Sequence, residues 1–149
     1  YLIKDFDPTL KNEGLVFIRG TSCTNSLVQI LPRLKKEVPN VKIVASISWE
    51  LFKRQPDDYR QSVIADDEWN DAMIITNGSR KLMHKWIANR MVENYSMAPD
   101  FDNRWRTGGS LKQIISESKL DPDSLWIGIK RFASDREKRL KSLRNAIPC

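Results

Sequence analysis

Short apolar runs and helical patterns alternate along the first half of the chain. Two runs, over 15–19 and 41–47, have the length and the β-branched content of buried strands. Between them, apolar residues recur at helical spacing over 27–34. The order strand, turn, helix, strand predicts a crossover unit in which the two strands lie parallel in one sheet.

Local signals predict how the first helix begins and whether it stays straight. Thr24 and Asn25 follow a turn of small residues, and either side chain could cap the helix. Pro32 lies within the helical pattern and should bend the helix or reset its start, because proline has no backbone N–H to donate.

The rest of the chain continues the alternation as one domain. The pattern predicts a short helix over 56–64, a third strand over 72–76, a helix through 82–90, a fourth strand over 93–98, a short helix from 111 and a long basic helix to the C-terminus. Asp121 and Pro122 mark the start of that final helix. Residues 1–13 read as an N-terminal lead-in segment and 14–149 as a single α/β domain.

One stretch, Ser48–Arg60, carries four large apolar residues directly after the second strand: Trp49, Leu51, Phe52 and Tyr59. A strand that runs into an aromatic-rich turn predicts packing over the end of the sheet. The alternative is that this turn faces another domain or subunit.

Composition limits the class of protein. With 149 residues, 40% hydrophobic and 30% charged, the chain can bury a core as an ordinary globular domain. No apolar run approaches the ~20 residues that a membrane-spanning helix needs, and no signal peptide is visible. The chain opens on Tyr1 rather than Met, so we expect it to be a piece of a longer protein. Two cysteines, Cys23 and Cys149, form no disulfide framework and favour a reducing, cytoplasmic location.

The net charge of +6 is concentrated near the C-terminus. Seven basic and two acidic residues between Lys130 and Arg144 hold +5 of it. Such a helix attracts nucleic acid or anionic membranes, but acidic residues interrupt the run and few aromatics accompany it. A solvated helix face is therefore the preferred interpretation, and neither a nucleic-acid nor a membrane partner is expected.

The turn over 20–26 is the first candidate for chemistry. A strand that feeds a turn of small hydroxylated residues at a helix start presents free backbone N–H groups to an anion. Ser22, Thr24 and Ser26 would line such a site, but the turn lacks the lysine of a phosphate-binding loop and the triple glycine of a dinucleotide site. A capped turn with no ligand is the alternative.

Three further groups of residues indicate no active site. The acidic residues Asp57, Asp58, Asp66, Asp67, Glu68 and Asp71 match no calcium-loop spacing and read as a solvated rim. Arg104-Trp105-Arg106 could contact phosphate or a partner, or form a loop packed by its tryptophan. Cys23 and His84 could in principle pair as nucleophile and base, but nothing around either residue supports it. The residues alone thus indicate no catalytic, cofactor-binding or metal-binding set.

The aromatic stretch carries a family resemblance. Trp49-Glu50-Leu51-Phe52, followed by Gln55, Tyr59 and Arg60, resembles a segment in the C-terminal domain of transketolases. The phrases at 17–22, 72–78 and 111–132 are similar in order and pattern, so that the resemblance covers roughly 14–132. The chain departs from the family where Cys23, Thr24 and Asn25 stand in place of an acid, and where Thr76 or Asn77 replaces another. The segment 101–110 is only weakly similar to the corresponding motif of the family, so the chain resembles a divergent relative.

The resemblance implies a three-layer α/β/α sandwich on a mostly parallel sheet of about five strands, one of them antiparallel. It also implies a parent enzyme, a homodimer, that transfers a two-carbon ketol unit between sugar phosphates. Thiamine diphosphate and a divalent metal would lie between the two upstream domains of that parent, and this domain would supply none of their ligands. Trp49, Phe52 and Tyr59 would then lie at an interdomain surface. A pyruvate dehydrogenase-type parent, which shares this domain, and a stand-alone anion-binding regulatory module remain alternatives.

Overall fold

The fold is described here from a computed structural model. The structure describes residues 1–104, 106 and 108–146. Two predictions fall partly on the remaining positions: Trp105, in the arginine-flanked loop, and Cys149 both lie outside the described residues.

A mixed sheet of four strands forms the centre of the domain. Its strands are β1 (Leu2–Lys4), β2 (Leu15–Arg19), β3 (Lys42–Ala45) and β4 (Ala72–Thr76). Their order across the sheet is β1-β3-β2-β4. β2 pairs in parallel with both β3 and β4, and β1 runs antiparallel to β3. The prediction of a mostly parallel sheet with one antiparallel strand is confirmed.

Helices cover both faces of this sheet. The α-helices are α1 (Thr21–Glu37), α2 (Trp49–Lys53), α3 (Asp57–Val63), α4 (Arg90–Asn94), α5 (Leu111–Glu117), α6 (Pro122–Ser134) and α7 (Arg136–Ala146). Two 3₁₀ segments, Glu68–Asn70 and Arg80–Trp86, complete the second layer. The α/β class with helices on both sides is therefore confirmed.

The alternation of side chains along β2 divides the core into two clusters. Val16 and Ile18 point to one face, where they pack with the apolar stripes of α1 and α6. Leu15 and Phe17 point to the other face, towards residues of α3, α4 and the Arg80–Trp86 segment. A single strand thus contributes to both cores, which explains why its sequence is apolar at successive positions.

The start of α1 differs from the prediction. The helix begins at Thr21 with Gly20 as its N-cap residue, so Thr24 and Asn25 lie inside it and cap nothing. Gly20 has a positive φ of 101°, which lets the chain turn from strand to helix within one residue. The helix also continues through Pro32 without a new start.

The segment after β4 differs from the predicted helix through 82–90 and strand over 93–98. Residues 80–86 form a 3₁₀ segment, and 90–94 form a short helix where the fourth predicted strand was to begin. Asn89 explains this helix, because its side chain accepts hydrogen bonds from the N–H groups of Met91 and Val92. Only Met97 pairs with the sheet, as an isolated parallel bridge to Ile75. Among the described residues the sheet thus has four strands plus this bridge, where about five strands were expected.

The lead-in segment is part of the sheet. Strand β1 lies within residues 1–13, where no strand was predicted. Buried Asn40 holds the rest of that segment, since its side chain accepts from Asp7 N–H and donates to the Asp7 and Leu10 carbonyls. Three residues carry too little alternation to be recognised as a strand, and the pairing with β3 supplies what the pattern lacks.

The basic C-terminus forms two helices, and part of its charge points inward. Asp121 caps α6 as predicted, by accepting from Ser124 N–H at 3.0 Å. In α7, the Arg139 side chain is buried and donates to Asp71 at 2.7 and 2.9 Å, while Arg136 donates to the same carboxylate at 2.6 Å. The Arg139 guanidinium lies 3.6 Å from the centre of the Phe132 ring. Asp71 therefore ties α7 to the start of β4.

Removing this carboxylate should be costly. Asp71→Ala leaves the Arg139 charge buried without its counter-ion, and we expect the free energy of unfolding to fall by about 3–5 kcal/mol. Urea unfolding followed by circular dichroism measures the change. Glu137→Ala is the matched control: it removes the exposed pair with Lys11 and should cost less than about 1 kcal/mol. Equal losses in the two variants would contradict the structural role of Asp71.

Candidate functional site

The aromatic stretch after β3 folds as two short helices that lie over the end of the sheet. The Ser48 hydroxyl caps α2 by accepting from Leu51 N–H, and Pro56 precedes α3. Gln55 donates from its side chain to the Leu51 carbonyl at 3.2 Å and closes the turn between the helices. Trp49 and Phe52 face the sheet from α2, and both are half-buried.

Five aromatic rings pack together beneath α2. Trp86 lies at the centre, with ring centroids 5.3 Å from Trp49, 5.5 Å from Phe52, 5.9 Å from Trp69 and 5.2 Å from Phe17. The Trp49 ring meets Trp86 edge-on, and the Trp69 ring stacks on it. Such offset and edge-on pairs add to the free energy of burial alone. The packing prediction is thereby confirmed for Trp49 and Phe52, whereas Leu51 and Tyr59 of the same stretch are exposed.

A groove of about 410 Å³ opens beside this cluster. It is lined by Tyr1, Val44, Ala45, Ile47, Ser48, Leu51, Phe52, Gln55, Tyr59 and Trp86. Its rim is apolar and exposed: Ile47 is 59%, Leu51 60% and Tyr59 43% accessible to solvent. Several large apolar side chains around one concave surface are typical of a place where another polypeptide packs.

The predicted interdomain residues come together here, with others that were missed. Phe52 and Tyr59 both line the groove, and Trp49 supports it from below. The sequence did not indicate Trp69, which stands in an acidic segment, or Ile47 and Tyr1, which lie outside any aromatic run. These residues come close to the predicted ones only in the folded chain.

One ion pair fixes the outer side of α2. Lys85 donates to Glu50 at 2.5 Å, and this hydrogen bond holds the pKa of the Glu50 carboxyl below its ordinary value. The pair joins α2 to the segment that carries Trp86. Neither residue lines the groove, so the pair holds α2 in place from outside it.

The predicted anion-binding residues do not form an open turn. Ser22, Thr24 and Ser26 all lie within α1, where Ser26 is buried and the Thr24 hydroxyl donates to the Gly20 carbonyl at 3.0 Å. The Asn77 side chain lies directly over the Cα of Gly20. An anion at this edge would have to share the space with Asn77, and the anion-binding role stays a prediction.

A second hollow lies at the carboxyl end of β4, next to the loop that carries Arg104 and Arg106. Both arginines donate to Asp102. Partial burial acts to raise the pKa of Asp102, but the hydrogen bonds from the two arginines outweigh it and lower that pKa to about 2. Arg106 also donates to the Pro99 carbonyl at 2.6 Å. These cations therefore hold their own loop in place.

The acidic group does not form a single solvated rim. Glu68 receives two hydrogen bonds from the buried Lys42, at 2.9 and 3.0 Å, and Asp71 receives those of Arg136 and Arg139. For these two acids the prediction was wrong, because each lies against a buried cation that needs a counter-ion. The others remain at the surface, where Asp57 pairs with Arg60.

Cys23 and His84 do not meet. Cys23 is buried in α1 against one face of the sheet, whereas His84 is exposed on the Arg80–Trp86 segment, which packs against the other face. Burial raises the pKa of the Cys23 thiol from its ordinary value of 9.0 to about 12. A thiol in this state is a poor nucleophile at neutral pH.

Two features are absent from the part of the chain that the structure describes. Within residues 1–104, 106 and 108–146, no three His, Cys, Asp or Glu side chains are grouped closely enough to hold a metal ion. Across the same residues, no helix combines the length and apolar character needed to span a bilayer.

The comparisons with known proteins give one family and one relative. A family model described as "Transketolase-like TK C-terminal domain" matches residues 1–98, and this range contains the sheet, the aromatic cluster and the groove. The chain is also similar to "Transketolase, chloroplastic" of Spinacia oleracea, with 47% identity over 57 residues. That stretch is 38% of this chain but only 8% of the spinach protein, so the chain matches a small part of its relative.

Gly20 should tolerate no side chain. A Cβ there would overlap Asn77, and its backbone conformation is one that glycine alone adopts readily, so we expect Gly20→Ala to reduce the free energy of unfolding by about 1–3 kcal/mol or more. Gly108→Ala is the control, because a Cβ at Gly108 meets nothing within 4 Å. That change should be neutral or stabilise by up to about 1 kcal/mol. Chemical unfolding of both variants makes the comparison, and a neutral Gly20→Ala would contradict it.

The buried thiol gives a pH-dependent prediction. Because the folded state holds the Cys23 proton more tightly, its contribution to stability is complete below pH 9 and is lost as the pH rises towards 12. In a Cys149→Ser background, alkylation at pH 8 should be on the order of 1000-fold slower in the folded than in the unfolded chain. Cys23→Ala should lose less stability than its parent between pH 9 and 12. Equal alkylation rates before and after unfolding would show that the thiol is accessible.

Proposed function

The chain belongs to the transketolase-like C-terminal domain family, and from that premise we propose that it serves as the non-catalytic C-terminal domain of a larger transketolase-like enzyme. The parent would transfer a two-carbon ketol unit between sugar phosphates, and it would work as a homodimer. The role of this domain would be to pack against the upstream domains of the same parent chain.

The groove beside the aromatic cluster is the observation that carries this proposal. Ile47, Leu51 and Tyr59 expose large apolar surfaces around a concavity whose floor contains Trp86 and Phe52. Packing them against another domain would remove that surface from water, at about 25 cal/mol per Å² of apolar area buried. The groove lies within the residues that the family model matches.

Thiamine diphosphate and its divalent metal would belong to the upstream domains of the parent. The described residues do not suit that cofactor. The groove is lined mainly by apolar and aromatic side chains, with Ser48 and Gln55 among them, and no metal-binding group of acids or histidines is found among the described residues. The residues of this chain would therefore take no part in the chemistry of the cofactor. Its own contribution would be to complete and stabilise the enzyme.

Two earlier alternatives have less support. The family model names transketolase-like proteins rather than a pyruvate dehydrogenase-type enzyme. The residues of the anion-binding alternative lie within α1, beside Asn77. We also propose a cytoplasmic location, which the cysteines favour. The spinach relative is named as a chloroplast protein.

Complementation of a shortened parent tests the proposal. The parent is expressed without this domain, the 149-residue chain is added in trans, and transketolase activity and binding are measured. Leu51→Lys should weaken binding by about 10- to 100-fold, because it places a charge where a leucine would be buried. Val28→Lys is the matched control: Val28 is 56% exposed on α1, away from the groove, and its substitution should leave binding unchanged.

Two outcomes would contradict the proposed role. If the shortened parent is fully active and does not bind this chain, the domain has no assembly function. If Val28→Lys and Leu51→Lys weaken binding equally, the groove is not the surface that the upstream domains contact.

A further inference from the structure

The first residue of the chain already lies in the sheet, at the edge of the groove. Tyr1 donates from its N-terminal ammonium group to the Ala45 carbonyl at 3.0 Å, and its own carbonyl accepts from Ala45 N–H at 2.8 Å. Leu2 stands opposite Val44. Tyr1 and Ala45 are thus a hydrogen-bonded pair of an antiparallel ladder, and both residues line the groove.

The partner side of that ladder continues beyond Ala45. Ser46 N–H donates to the Ile18 carbonyl, on the side of β2. By the alternation of an extended strand, the neighbouring Ile47 would present its backbone groups to the β1 side. Among the described residues, no backbone hydrogen bond is recorded for the Ile47 N–H or C=O. Ile47 is therefore an open position at the sheet edge, and its side chain is 59% exposed.

The direction of β1 determines what can reach this position. Because β1 runs antiparallel to β3, moving backwards from Leu2 to Tyr1 leads towards the carboxyl end of β3. A polypeptide joined to Tyr1 would continue beside Ser46 and Ile47, and its second residue before Tyr1 would stand opposite Ile47. It would then lie along the groove between Leu51 and Tyr59.

We propose that the groove is occupied by the polypeptide that immediately precedes Tyr1 in the longer protein, as an extended segment with apolar side chains that lengthens β1 and pairs with Ile47. The inference rests on the proposed function, because it requires a parent with upstream domains. The segment would dock in cis: its covalent link to Tyr1 gives it a high effective concentration at the groove, which a second copy of the chain lacks. The apolar rim of Ile47, Leu51 and Tyr59 determines the chemistry of its side chains.

Short extensions of this chain test the pairing directly. Three forms are compared: the 149-residue chain, the chain preceded by Val-Ile-Thr, and the chain preceded by Val-Pro-Thr. In the second form, isoleucine stands opposite Ile47 and can exchange two hydrogen bonds with it. In the third, proline at the same position has no N–H to donate, so that composition and length are matched while the pairing is damaged.

Amide hydrogen exchange measured by NMR reports the result. We expect the Ile47 amide to exchange at least about 10-fold more slowly with Val-Ile-Thr than in the unextended chain, and to stay within about 2-fold with Val-Pro-Thr. The Gly108 amide, in a distant loop, should not change in any form. Equal exchange of the Ile47 amide in all three forms would overturn the proposal.

Size-exclusion chromatography with light scattering tests whether a second copy of the chain occupies the groove instead. If the unextended chain stays monomeric while its Ile47 amide exchanges rapidly, the result supports docking in cis. Concentration-dependent dimerisation that protects Ile47 in the unextended chain would assign the groove to a second copy and overturn the proposal. The proposed function fails separately, when the upstream domains neither bind this chain nor depend on it for activity.

Discussion

Strand β2 has no face that water reaches, and the rest of the domain depends on this. Four of its successive residues, Leu15 to Ile18, are at most 1% exposed. Because neighbouring side chains of a strand point to opposite faces, the strand requires a covering layer on each side. It is also paired on both edges, with β3 and β4, so that its backbone is satisfied within the sheet.

The two covering layers are unequal. One face is covered by α1 and α6, of 17 and 13 residues, which pack with a continuous stripe of aliphatic side chains. The other is covered by helices of five to seven residues and two 3₁₀ segments. Helices this short are not stable by themselves, so their positions depend on the side chains that they pack against the sheet. These are Val63 of α3, Val92 of α4 and the aromatic rings of α2 and the 3₁₀ segments. The cluster around Trp86 performs this function, and the groove opens where these short elements leave the sheet edge uncovered.

Sequence patterns predicted the parts of the fold that are determined by periodicity. The strands over 15–19 and 72–76, the cap at Asp121 and the stripe of α6 follow from local spacing, and the structure confirms them. The wrong predictions have tertiary causes. β1 exists because β3 offers an edge, and the single bridge of Met97 replaces a strand because Asn89 begins a helix just before it. No groove was predicted: of the predicted interdomain residues Phe52 and Tyr59 line it, whereas Tyr1 and Ile47 reach it through the topology of the sheet.

The distribution of charge leads to a related conclusion about function. Counted along the chain, the C-terminus is a basic helix, but Arg139 is buried and Arg136 pairs with Asp71, so these two cations stabilise the fold. Their counter-ion is Asp71, one of the acidic residues that were predicted to form a solvated rim. What remains at the surface as an unusual feature is apolar: the rim of Ile47, Leu51 and Tyr59 beside an open sheet edge. A domain that pairs its buried charges internally, yet leaves large apolar side chains exposed at one edge, supports the proposal that it is one unit of a larger enzyme. This agrees with membership of a family whose matched relative is far longer than the stretch it shares with this chain.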